Sequence, residues 1–229
     1  MRQVTLYHGS PEAVVSPAAG RAWKDFGPGF YCTEGRDSAL EWACEKDRDG
    51  YVSSYTLDQE GLAFLNLLDG RHSILNWLAV VVQNRQVKPP APIFTESVEW
   101  VTGNCAVDIS SYDIIIGRRA DYVFFRFVMD FLCNSITLRQ FAGAMRIGDE
   151  SQWCLKSPDA IQGMKFKGAD PVGSWHYGTA NARMTAYYKE YWGIAGAARD
   201  KSLGDLYMSD ILREGIKPGD GRLLAAEEV

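Results

Sequence analysis

Histidine is the scarcest side chain here that can handle a proton at neutral pH, and there are three: His8, His72 and His176. His8 has the most suggestive surroundings. It follows the strand-like run Val4-Thr-Leu-Tyr7 and leads into Gly9-Ser10-Pro11, a turn signal. A side chain at a strand end can face a ligand together with bare backbone. Imidazole can donate to or accept from a sugar hydroxyl. Gly9 has no Cβ and lets a flat ring or an amide approach the main chain. The plainer alternative is a histidine that caps the turn.

Two further segments carry chemical possibilities. Phe26-Gly27-Pro28-Gly29-Phe30-Tyr31 sets glycines among aromatics. Glycines open space and rings wall it, and stacking on a planar ligand is worth roughly 0.5–1.5 kcal/mol beyond area burial. A tight turn whose rings fill the core is the alternative. If a strand starts at Phe30, that ring faces the core and Tyr31 faces the other way. Gln152 opens the strand-like Gln152-Trp-Cys-Leu155. Its amide can hold sugar hydroxyls but cannot act as a base. Asp149 and Glu150 just before it could supply charge, or form a solvated turn. The run Tyr187-Tyr188-Lys189-Glu190-Tyr191-Trp192 reads as a helix packing its rings on a sheet. With one lysine inside it, a nucleic-acid stacking surface is the weaker choice.

Composition narrows the classes. The 229 residues are 46% apolar and 23% charged, the profile of a globular chain with one large domain, or one medium domain and an appendage. Lys plus Arg number 24 against 29 Asp plus Glu, a net charge of -5, which argues against a dedicated duplex-DNA binder. Arg118, Arg119 and Arg126 could still form a local basic patch. The five cysteines show no CxxC pair, and no histidines stand at HExxH spacing, so neither a disulfide framework nor a metal site is expected. The first residues lack the apolar core of a signal peptide, and the run Trp77 to Val82 is far too short to span a membrane. A soluble protein of the reducing cytoplasm is expected, with no membrane partner.

The elements that must position these residues follow from periodicity and punctuation. Strands are expected at 4–7, 30–33, 51–57, 62–68, 113–116 and 152–155. Helices are expected at 37–46, 73–84, 122–133, 137–146, 157–164, 184–191 and 206–213. Pro89, Pro90 and Pro92 mark a stiff loop, and residues 223–229 read as a fraying tail. The order is α+β. Strands and helices do not alternate regularly, and there is neither a GxGxxG turn nor a P-loop, so a doubly wound sheet fits poorly.

Taken together, Leu6-Tyr-His-Gly-Ser10, Asp25-Phe-Gly-Pro-Gly-Phe-Tyr-Cys-Thr33 and Tyr112-Asp-Ile-Ile-Ile-Gly117 resemble the bacterial DUF3990 family over roughly residues 4 to 167. Through it they resemble the ADP-ribosyltransferase superfamily of His-Tyr-Glu type. That resemblance implies a split, curved mixed β-sheet with surrounding helices and an NAD cleft. It implies an NAD-cleft domain over 1–170 and a helical extension over 171–229 packed on it. The implied activity is mono-ADP-ribosyl transfer from NAD, the co-substrate, to a macromolecular acceptor, protein more than nucleic acid. The protein could be the toxin of a toxin–antitoxin pair with a small antitoxin partner. A non-catalytic NAD- or protein-binding module is the alternative. By the same likeness His8 binds ribose and Tyr31 stacks on nicotinamide. Gly9 holds the nicotinamide amide through its backbone, Gly27 and Gly29 shape the pocket mouth, and Ser10 joins them in binding the cofactor. The third position departs from the pattern: Gln152 stands where a glutamate is expected, with Glu150 and Asp121 as spare carboxylates.

Overall fold

The computed structural model describes residues 3–120, 122–149, 151–199 and 205–227. Seven strands form two open sheets, and nine α-helices occur among the described residues. The mixed α+β class expected from the order of elements is what the chain adopts.

In the first sheet, β1 (Gln3–Ser10) runs antiparallel to β3 (Gly50–Asp58), which pairs on its other edge with β7 (Met164–Val172). The second sheet has the order β2 (Phe30–Cys32), β6 (Ser151–Leu155), β5 (Ile114–Arg118), β4 (Phe64–Asn66). β2 and β6 are antiparallel, whereas β4 and β5 are parallel. The two sheets touch at a seam where Tyr7 and Thr33 exchange backbone hydrogen bonds of 2.8 and 3.0 Å. Alternation sends Leu6, Tyr55 and Leu57 from one sheet and Phe30, Trp153 and Leu155 from the other into one shared core.

Helix α1 (Arg36–Ala43) packs against β1 and β3 at two glycines. A Cβ on Gly9 would lie 1.9 Å from the Ala39 carbonyl oxygen, and one on Gly50 would lie 1.6 Å from that of Ala43. Helix backbone thus rests on strand backbone, an approach that only glycine permits. Elsewhere polar caps fix the helix starts. Ser73 and Asn76 form a capping box at α2 (Ile74–Asn84), and Thr137 and Gln140 form one at α5 (Leu138–Ala144). Ser157 caps α6 (Pro158–Gln162), with Pro158 at the first turn.

The chain divides into two compact units. The first comprises residues 1–66, 109–117 and 150–186 and holds both sheets, α1 and α6. The second comprises residues 67–108, 118–149 and 187–229. It is helical, built from α2, α3 (Pro92–Cys105), α4 (Tyr122–Leu132), α5, α8 (Met208–Arg213) and α9 (Gly221–Glu227). α7 (His176–Ala195) gives its residues up to Ala186 to the first unit and the rest to the second. In the second unit Phe127 stacks on Tyr191 at 4.1 Å and Phe131 on Phe141 at 4.9 Å. The Tyr191 hydroxyl donates to Asp130, which also pairs with Arg126.

Several expectations need correction. β1 does not stop at Tyr7: His8, Gly9 and Ser10 continue the ladder opposite Ser53, Val52 and Tyr51, so main-chain pairing overrides the turn signal. Residues 223–227 are helical rather than frayed, because α9 buries Leu223 and Ala226. The proline-rich loop ends by starting a helix, with Pro92 in the first turn of α3. Met164 opens β7 instead of closing a helix. Tyr187 and Tyr191 are buried at i, i+4 spacing, but Tyr191 packs on α4 and not on a sheet. No helix among the described residues is long and apolar enough to cross a membrane.

Candidate functional site

His8 shares the Leu6 face of β1, and its ring lies 4.6 Å from that of Phe30 across the seam. Its Nδ1 stands 2.7 Å from the Tyr31 carbonyl oxygen. A carbonyl can only accept, so Nδ1 carries the hydrogen and donates. In the neutral ring, Nε2 is then the acceptor. Burial lowers the imidazole pKa, the Tyr31 carbonyl opposes that shift, and the Lys24 charge adds to it. His8 is therefore a neutral ring of fixed tautomer at neutral pH. Ser10 lies on the same face by alternation, and its hydroxyl accepts from the Glu12 amide at 3.3 Å. Gly9 faces the other way, beneath α1.

Tyr31 projects from the face of β2 opposite Phe30, as alternation requires. Its hydroxyl donates to the Gly27 carbonyl at 2.8 Å and accepts from the Phe26 amide at 2.9 Å. The Tyr31 and Phe26 rings lie nearly parallel with centroids 6.4 Å apart. Burial, followed by the neighbouring Cys154 thiol, raises the phenol pKa far above its ordinary range, so Tyr31 stays un-ionised. Both turn glycines have steric reasons. Gly27 has φ 83°, and a Cβ on Gly29 would sit 2.4 Å from the Cys154 sulfur.

Gln152 does not stand alone. Its Nε2 donates to Asp25 Oδ2, and the two residues are only 5% and 3% exposed. The register sets Tyr31 opposite Cys154, so Tyr31, Cys154 and Gln152 share one face of the sheet. Asp25 is the residue that sequence reasoning passed over, since it reads only as the head of the glycine–aromatic turn. The available signal was an acid placed directly before that turn. Glu150 and Asp121 lie outside the described residues. The structure thus brings His8 against the Tyr31 backbone and Gln152 onto the Tyr31 face, all within the first unit.

These groups offer a neutral imidazole acceptor, a pinned phenol ring and a buried carboxylate–amide pair. Nε2 of His8 can accept from a hydroxyl, whereas the Tyr31 ring projects from the opposite face of β2 and the Asp25–Gln152 pair is buried and mutually engaged. Among the described residues no cluster of three or more His, Cys, Asp or Glu could hold a metal ion. A separate groove of about 320 Å³ is lined by Asp37, Leu40, Glu41, His176 and Arg183, with Arg183 and Glu41 paired at 3.0 Å.

Two sheets meeting at a seam, with the His8 and Tyr31 segments joined across it, define the first unit. The family profile described as "Protein of unknown function (DUF3990)" matches residues 4–166, a span that includes His8, Asp25, Tyr31 and Gln152. The chain belongs to this family. No curated protein and no solved structure matches the chain.

Proposed function

We propose that the protein is an ADP-ribosyltransferase-like enzyme that uses NAD and modifies a macromolecular acceptor, protein rather than nucleic acid. The carrying observation is the hydrogen bond from His8 Nδ1 to the Tyr31 carbonyl. It ties together the two motif segments whose likeness to His-Tyr-Glu enzymes was drawn from the sequence. In this reading His8 Nε2 accepts from a ribose hydroxyl. The Tyr31 ring packs on nicotinamide. Gly9 offers only its backbone, to the nicotinamide amide, and Ser10, Gly27 and Gly29 form the cradle. The bond between ribose C1′ and nicotinamide breaks, and neutral nicotinamide leaves with the bonding electrons. An acceptor nucleophile bonds to C1′ and releases its proton to water. Binding energy mainly orients the sugar and excludes solvent. A carboxylate would favour the positive charge developing on the sugar, and position 152 supplies a neutral amide in its place.

One observation favours a second reading, a non-catalytic NAD- or protein-binding module. The third motif position holds an amide, and that amide is engaged with Asp25. Labelled NAD incubated with purified protein and a cell lysate separates the two. Transfer of label with nicotinamide release supports the enzyme. Calorimetric binding of NAD without release supports the module. Absence of binding, release and transfer defeats the enzyme and the NAD-binding form of the module. The toxin reading predicts growth arrest on cytoplasmic expression, relieved by His8→Ala and by a small antitoxin encoded next to the gene. Unimpaired growth of the wild-type strain counts against it.

A further inference from the structure

We propose that Asp25 and Gln152 form a buried latch that sets the Tyr31 ring, which makes Gln152 a positioning residue rather than a ribose-facing one. Three consecutive residues carry the geometry. Asp25 is held by the Gln152 amide, the next residue's N–H donates to the Tyr31 hydroxyl, and the carbonyl of the one after accepts from it. The Phe26 ring also lies parallel to that of Tyr31. Whatever fixes Asp25 therefore fixes both main-chain partners of the phenol. Gln152 is well placed for this, two residues from Cys154, the register partner of Tyr31. The loop is tied again at Gly20, whose N–H donates to the Gly29 carbonyl at 2.8 Å. A buried amide–carboxylate bond is worth more than an exposed one, because either group left without its partner keeps its full desolvation penalty. The consequence for ligand binding rests on the NAD reading above, whereas the latch itself does not.

The informative variant is Gln152→Glu, which places a glutamate at the third motif position. If that position faces ribose, nicotinamide release should rise. The latch predicts the opposite, because two carboxylates would then oppose each other at Asp25. Like charges at such range raise one carboxyl pKa, so acidification lets one proton bridge the pair and restores the bond. Titratable groups beside the pair include the Tyr31 phenol and the Cys154 thiol, the latter pushed up to about 12, both neutral throughout. Lys24 and His8 are common to variant and wild type, so the ratio of the two proteins isolates the new carboxylate.

The measurement is hydrogen-exchange protection of the Phe26 amide, read beside nicotinamide release from NAD. Gln152→Glu should lose protection about tenfold or more relative to wild type near pH 7.5 and regain it near pH 5. Asp25→Asn combined with Gln152→Glu exchanges the amide and the acid. It should keep wild-type protection at both pH values, and release should follow protection. Unchanged Phe26 protection in Gln152→Glu overturns the latch. So does loss of protection in the double variant, or faster nicotinamide release in Gln152→Glu. If the protection pattern holds while wild type neither binds nor cleaves NAD, the latch stands and the NAD reading falls.

Discussion

His8 makes its most testable statement through its proton. Its folded pKa lies below the ordinary value of about 6.5, chiefly through burial. As pH falls past that value, the unfolded chain binds the proton first while the folded chain resists it. The stability associated with the neutral ring is thus fully present above the unfolded pKa and is lost as pH falls toward the folded one. His8→Asn keeps a donor that can reach the Tyr31 carbonyl and removes the titration. Urea unfolding near pH 7.5 and near pH 5.5 should show wild type losing more stability than His8→Asn on acidification. Equal losses would mean that His8 is not held neutral. At this scale the sequence was informative about single residues and silent about partners. His8 and Tyr31 stood out because a strand-flanking imidazole and a glycine–aromatic turn are local signals. The Asp25–Gln152 bond was not legible, because it joins positions 127 residues apart.

Among elements, the contact of α1 with the first sheet depends on Gly9 and Gly50. Neither has a left-handed backbone, so the demand for glycine is steric. Gly9→Ala or Gly50→Ala would drive a methyl into helix carbonyls that cannot rotate aside. Each should lower unfolding free energy by about 3 kcal/mol or more in denaturant titrations, the upper end of overpacking penalties. A change within about 0.5 kcal/mol, usual for an exposed site, would contradict the packing. Gly9 was read as a ligand-facing glycine, and the structure supplies a helix-facing reason for it. Elements with end signals were legible: Thr137 and Ser157 cap as their types and positions imply, while Ser73, expected as the first helical residue, is the cap of α2. β7 was missed because Lys165, Lys167, Gly168 and Pro171 interrupt alternation, which an edge strand tolerates. α3 was missed because Pro92 looks like loop until its place in the first turn is seen.

For the whole molecule, the order of elements gave the mixed α+β class, but it could not give two compact units each assembled from three stretches of chain. Such units arise from long-range pairing that no local pattern records. The thiols follow the same packing. Cys32, Cys44, Cys105 and Cys154 are buried, and Cys133 is partly exposed. A thiol-reactive dye should modify Cys133 first in the native chain and reach all five thiols only on denaturation. Rapid reaction of the four buried thiols in native buffer would contradict the packing. The central claim concerns NAD at the seam of the two sheets, and calorimetric titration of NAD into wild type, His8→Ala and Tyr31→Ala tests it most directly. A single saturating site in wild type, weakened about tenfold or more in each variant while their folds persist by circular dichroism, is the expected result; a tenfold change corresponds to about 1.4 kcal/mol. No binding by wild type, or equal binding by all three proteins, would contradict it.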